Sequence, residues 1–201
     1  MGFDLYGLSP KNPDNLVSPE MNWGNPSITE EDKKEHFKAV DKYQEAVPGN
    51  YFRANVWWWR PLWDFTANNC DDILTSKDIE AGSVNDMHKI SKTKANKIAK
   101  RLKETLKDGT ADSYETRIME RQELSIEANA IVDKGLNKLA EIVKKETGKE
   151  DIVPRDYPNK YKEAWEKIYA TRTMASSYPF KVSFLKQFIS FCEDSGGFEI
   201  G

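Results

Sequence analysis

Cysteine is scarce in this chain, with two in 201 residues. Cys70 and Cys192 stand far apart and lack metal-ligand spacing, so the sequence excludes a disulfide framework and predicts two buried thiols. Histidine is equally scarce, at His36 and His88. No apolar run approaches the ~20 residues of a membrane span, and the opening Met1-Gly-Phe-Asp-Leu-Tyr6 lacks the basic-then-apolar order of a signal peptide. No membrane partner is expected, and the cytoplasm is the expected compartment. Tyr6 also stands where a myristoylation signal needs Ser or Thr. An excess of one charge is missing too: 30 basic and 33 acidic side chains leave −3, which argues against nucleic acid as a partner held by a whole-protein field. Walker, G-x-S-x-G, H-E-x-x-H and Cys-His signatures are all absent. Accordingly no catalytic residue, cofactor or metal is assigned, and the balance moves from enzyme towards binder.

What the chain does contain is enough apolar surface to fold. Hydrophobic residues make up 38% and charged ones 31%, with a mean hydropathy of −0.74; this is polar, but too aromatic for disorder. The reading is a single domain over residues 1–201, with residues 14–48 as a peripheral insertion. The fold class expected is mainly α (α+β), a helical domain with a small sheet near the termini. Oligomeric state is not fixed by the sequence.

The densest stretch runs from Asn50 to Phe65 and holds four of the six tryptophans. Phe52, Val56, Trp59 and Trp63 follow at spacings of four, three and four, which predicts one apolar helical stripe, with Arg53, Trp57 and Arg60 as a second stripe on another face. Pro61 admits two drawings: a kinked helix through the whole stretch, or a helix beginning near Trp58 after an extended segment from Tyr51 to Val56. The stripe spacing favours the first.

Elsewhere the punctuation is clearer. Gly2 to Gly7 alternates as a short strand, and Phe198 to Ile200 alternates again and is expected to pair with it. Thr29 and Asp32 form a capping box for a helix to about Ala46, thinly apolar at Phe37, Val40 and Tyr43. Thr75 or Ser76 caps a short turn before Gly82, and Ser91 caps a helix to Lys107 that buries Ala95, Ile98, Ala99, Leu102 and Leu106. A long helical stretch from Ser113 to about Thr147 turns Ile118, Ala128, Ile131, Val132, Leu136, Leu139 and Val143 inward, with a weak stripe between Met119 and Ala128. Further helices are expected after Pro158 and from about Ser183.

Two readings compete at the aromatic stretch. Large aromatics at helical spacing most often pack a core. However, Trp57, Trp58 and Trp59 are consecutive and cannot all face one way, so at least one should be exposed or line a cleft. Indole faces stack on planar rings and guanidinium groups pair with phosphate or carboxylate. The candidate ligand-binding residues are therefore Arg53, Trp57, Trp58 and Arg60, joined by Asn85 and His88 from the Asn85-Asp-Met-His88 loop, which leads into a helix N-terminus suited to anions. The simpler reading of that loop is a turn. The lysines from Lys89 to Lys107 point in several directions and read as a solvated face, and His36 sits among charges.

The motifs Met1-Gly-Phe-Asp-Leu-Tyr-Gly-Leu-Ser-Pro-Lys-Asn-Pro13, Tyr51-Phe-Arg-x-Asn-Val-Trp-Trp-Trp-Arg-Pro-Leu-Trp63, Gly82-x-x-Asn-Asp86 and Ser195-Gly-Gly-Phe-Glu-Ile200 resemble a family of uncharacterised proteins encoded mostly by bacteriophages. The resemblance covers about a third of the chain and implies phage origin and a shared core, with no activity attached. Two departures stand out: residues 14–48 look inserted, and the region from Glu146 to Tyr178 lacks the cysteines of a zinc-type segment that some relatives carry. The expectation from residues and resemblance together is a phage-encoded, non-enzymatic binding protein in the host cytoplasm, sequestering a nucleotide-like small molecule to blunt a defence signal. One alternative is a protein-protein inhibitor of a host enzyme. The other is a small enzyme acting on nucleotides or nucleic acid with Asp86 and His88 in acid-base roles.

Overall fold

A computed structural model describes residues 2–201. In chain order its elements are β1 (Gly2–Gly7), α1 (Glu30–Ala46), β2 (Tyr51–Asn55), α2 (Val56–Asn69), α3 (Ser76–Ala81), β3 (His88–Ser91), α4 (Lys92–Lys107), α5 (Thr110–Thr147), α6 (Asn159–Tyr169), α7 (Val182–Asp194) and β4 (Gly197–Ile200). The fold is mainly helical with one small antiparallel sheet built from the terminal strands. By contact density the chain divides into two units, Met1–Glu115 with Phe180–Gly201, and Thr116–Pro179.

The first unit holds the sheet, in the order β2-β1-β4-β3. The expected pairing of the two terminal segments is present, Leu5 opposite Ile200 and Gly7 opposite Phe198. Alternation sorts the faces: Phe3, Leu5, Phe52, Ala54, Ile90, Phe198 and Ile200 are buried, whereas Arg53 and Lys89 are exposed. Helices α2, α4 and α7 supply the other half of this core through Trp59, Trp63, Ile98, Leu102, Leu185 and Phe188. Trp59 is its hub, stacked on Phe3 at 5.4 Å and on Trp63 at 5.2 Å, with the Phe188 ring edge-on at 5.8 Å. Its indole N–H donates to the carbonyl of Gly82 at 2.6 Å, so the one polar atom of the ring is satisfied in the interior.

The aromatic stretch is not one helix. Residues Tyr51 to Asn55 pair with β1, and the helix begins only at Val56, because the Asn55 side chain accepts from the N–H groups of Trp57 and Trp58 at 3.0 and 3.1 Å. Phe52 and Ala54 point inward by the two-residue period of a strand, so the four-three-four spacing from Phe52 to Trp63 was coincidental. The proposed stripe of Arg53, Trp57 and Arg60 fails for the same reason, since Arg53 belongs to β2. Pro61 lies inside α2 and is buried.

Expected caps are present at three helices: Thr29 with Asp32 on α1, Thr75 rather than Ser76 on α3, and Ser91 on α4; at Thr75 the Asp78 side chain completes a capping box that the sequence reading did not include. None of the residues of α1 is buried, and its Phe37 is 55% exposed beside Trp23. His36, expected among solvated charges, is half-buried against the edge of Trp23. In α4 the buried set is Ala95, Ile98, Ala99, Leu102 and Thr105, with Leu106 only half-buried. Helix α7 has no side-chain cap of its own; Glu115 accepts from the Val182 N–H at 2.7 Å and from Lys181 at 2.9 Å.

Most of α5 belongs to the second unit and runs without the break that its weak stripe suggested. Leu139 and Val143 pack there with Tyr157, against Tyr161, Trp165 and Ile168 of α6. Two residues expected inward are not: Ala128 and Ile131 are exposed, while Ser125 is buried and accepts from the Ser176 N–H at 3.1 Å.

Candidate functional site

At the outer edge of β2 a shallow groove of about 240 Å³ is lined by Arg53, Ala54, Asn55, Trp58 and Phe184. The first three come from the strand and its junction with α2. Trp58 follows one turn of that junction, and its half-buried ring meets Phe184 of α7 edge-on at 5.4 Å. Arg53 is 72% exposed along its side chain, 3.6 Å from the Asp4 carboxylate. A pair so open to water is worth ~0–1 kcal/mol, so the guanidinium remains available to another anion. Asp4 also accepts from the Tyr51 hydroxyl, which is pushed above its usual pKa first by burial and then by that hydrogen bond.

The backbone at this edge has a direction. Gly7 donates to the Asn50 carbonyl at 2.9 Å, which, with the β1–β2 register, turns the N–H and C=O groups of Phe52 and Ala54 towards β1. Those of Tyr51 and Arg53 point the other way, and among the described residues β2 pairs with no second strand.

Of the six residues singled out from the sequence, Arg53 and Trp58 share the groove. Trp57 is 37% exposed on another face of α2, and Arg60 lies one turn before Asp64, whose carboxyl is raised by burial and lowered by Arg60. Asn85 donates to the Gly2 carbonyl at 2.8 Å. His88 was placed in a loop; it opens strand β3, opposite Ile200 at the other edge of the sheet, and is mostly buried there. Asn55 and Phe184 were missed. The first carried a signal, since Asn before a helical run is a good cap. The second comes from a helix far along the chain, which no local pattern reveals.

His88 belongs to a different constellation. Its Nε2 meets the Asp78 carboxylate at 2.8 Å, Lys94 donates to the other carboxylate oxygen, and the Thr75 N–H and hydroxyl both donate there at 2.7 Å. Burial alone would raise the Asp78 carboxyl, but these hydrogen bonds hold it well below the usual carboxylate range. With its acceptor sites filled, Asp78 acts as a clamp joining α3, β3 and α4. Asp86 accepts from the His88 backbone N–H at 3.2 Å, the geometry of a turn.

Part of the basic face of α4 is tied down as well. Arg101 forks onto Asp72 at 2.8 and 2.9 Å and reaches the Asn69 carbonyl, and Lys103 meets Glu193 at 2.6 Å. Both thiols are buried; burial pushes Cys70 up to about 12 and Cys192 well above its usual value. Neither thiol is therefore expected to react with a disulfide reagent near neutral pH until the protein is unfolded, and a titration with and without denaturant checks this. Among the described residues no cluster of three His, Cys, Asp or Glu side chains suits a metal, and no helix is long and apolar enough to cross a membrane. Compared with protein-family models, curated proteins and solved structures, the chain matches none.

Proposed function

We propose that this chain is a non-enzymatic binding protein that engages its target through the groove and the unpaired edge of β2. The observation that carries the reading is the juxtaposition of outward-facing backbone groups at Tyr51 and Arg53 with the Trp58 and Phe184 rings and a solvent-facing guanidinium. An extended segment of another protein can add as a further strand, taking affinity from main-chain hydrogen bonds and specificity from alternate side chains. Its residues on the core side of the sheet would be apolar, against Trp58 and Phe184, and the intervening ones acidic, against Arg53.

This favours the protein-inhibitor reading over nucleotide sequestration. Small-molecule pockets enclose roughly 300–1,000 Å³ and cover most of their ligand, whereas this groove is smaller and open. The resemblance to phage-encoded proteins supports a host enzyme as target and the bacterial cytoplasm as the place of action.

A displayed library of random peptides, selected on the protein, tests the proposal. Enrichment of alternating apolar and acidic sequences is expected. Arg53→Pro should weaken those peptides about tenfold beyond Arg53→Ala, because it removes an outward N–H worth ~1 kcal/mol or more while sparing the ladder to β1. Equal binding by the two variants would sink the edge mechanism. In parallel, quenching of tryptophan fluorescence by one member of a nucleotide panel, lost in Trp58→Ala, would restore the nucleotide reading.

A further inference from the structure

The lysines of α4, which the sequence sets in several directions, fall mostly on one face. At 3.6 residues per turn the exposed positions 92, 93, 96, 97, 100, 103, 104 and 107 occupy an arc of about 140°, and five of them are lysine. Thr93, Asn96 and Glu104 are the others. Lys103 is paired with Glu193 at 2.6 Å, and Glu104 faces the Arg101 Nε at 3.7 Å. Among the described residues, Lys92, Lys97, Lys100 and Lys107 make no hydrogen bond or ion pair. From Lys92 to Lys107 the helix advances about 22 Å at 1.5 Å per residue. Beside this ridge lies a shallow pocket of about 270 Å³, walled by Ile73 and Asp72 on one side and by Lys97, Lys100, Arg101 and Glu104 on the other. Arg101 engages both of its carboxylates, Asp72 at 2.8 Å and Glu104 at 3.7 Å, which leaves Lys97 and Lys100 as its uncommitted charges.

We propose that α4 lays this ridge along the phosphate backbone of double-stranded nucleic acid, without reading its sequence. Three features select that partner. First, the free lysines are strung along the helix axis rather than gathered around a point, so they match a row of phosphates and not a single small anion. A duplex sets one phosphate every ~3.4 Å along each strand, so the ridge faces about six of them. Second, the exposed arc carries no apolar side chain, whereas a protein partner needs an apolar centre to its interface and a membrane surface needs apolar residues to bury. Sequence-independent binding of nucleic acid needs neither, since it rests on Lys, Thr and Asn contacts to phosphate. Third, the arc has no aromatic ring on which the bases of a single strand could stack, which leaves the duplex. The overall charge of −3 does not oppose this, because at physiological salt charges act over ~8 Å and the neighbouring Asp72, Glu104 and Glu193 are already paired. None of the residues that form the β2 groove takes part, so the two proposals stand or fall separately.

Fluorescence anisotropy of a labelled mixed-sequence DNA duplex, titrated with the full chain, tests the proposal. With four lysines on phosphates, affinity should fall about a hundredfold between roughly 50 and 200 mM salt, and Lys92→Gln should lower the slope against log salt by about one. Lys100→Glu combined with Lys107→Glu should abolish measurable binding with an unchanged far-ultraviolet spectrum. Lys38→Glu combined with Lys42→Glu on α1 makes the same change in net charge away from the ridge and should leave Kd within about twofold. A wild-type chain that does not bind the duplex at the lower salt would overturn the proposal. So would equal losses in the two double variants, tighter binding of the corresponding single strand, or displacement of the duplex by polyglutamate at matched charge.

Discussion

Trp59→Ala is expected to cost about 3–5 kcal/mol, the range for removing a large buried aromatic, and so to leave little of the ~5–15 kcal/mol that holds a typical domain together. The ring is fully buried and touches elements from three parts of the sequence, Phe3 on β1, Trp63 within α2 and Phe188 on α7. Its loss empties the point where the sheet and helices meet and strands the Gly82 carbonyl that its N–H satisfied. Urea unfolding followed by far-ultraviolet circular dichroism measures the effect, and Trp57→Ala provides the contrast. That ring is partly exposed, and its removal should cost only ~0.5 kcal/mol. Equal losses for the two variants would show that the core does not centre on Trp59.

Asp78→Ala should be nearly as damaging, at about 3–5 kcal/mol, because it removes the countercharge of Lys94 and the hydrogen-bond partner of the His88 ring, and also removes the second half of the Thr75 capping box. The same carboxylate imposes a dependence on pH. Its pKa in the folded state is depressed below the ordinary value of ~3.9. Its contribution to stability is thus fully present above that ordinary value and is lost as pH falls through the depressed one. The wild-type chain should therefore lose stability steeply below about pH 4. In Asp78→Asn the curve should be flatter over that acid range and start lower at neutral pH. Parallel slopes for the two proteins would remove Asp78 from the acid-sensitive step.

Elements whose specification is local were legible in the sequence. The capping box at Thr29 and the Ser91 cap need only three residues of context, and they start α1 and α4 as expected; at α3 the choice between Thr75 and Ser76 falls to Thr75. The terminal strands were legible because short alternating segments bounded by glycine have few other uses. The aromatic stretch misled because its apolar residues satisfy both periods. Phe52 and Ala54 keep the period of a strand, while Val56, Trp59 and Trp63 keep that of a helix, and the switch falls at Asn55, whose capping oxygen was overlooked. On α5 the expected inward stripe is partly right: Val132, Leu139 and Val143 are buried, but Ala128 and Ile131 look outward, since a single stripe cannot say how wide the covering partner is. Of the candidate site, Arg53 and Trp58 were found by chemistry. Phe184 and the aim of the β2 backbone depend on tertiary pairing, which the sequence does not display.

Strands β1 and β4 lie side by side at the centre of the sheet, yet one begins at Gly2 and the other at Gly197. On the ribosome β1 can meet β2 and Trp59 early, but it must wait for almost all the intervening chain to be synthesised before β4 emerges on its other side. During that interval the β4-facing edge of β1 stays unpaired and Leu5 lacks its Ile200 neighbour, and a long loop must close before that pairing returns any energy. A strand edge left open in this way can pair with other chains, and slow translation prolongs that exposure.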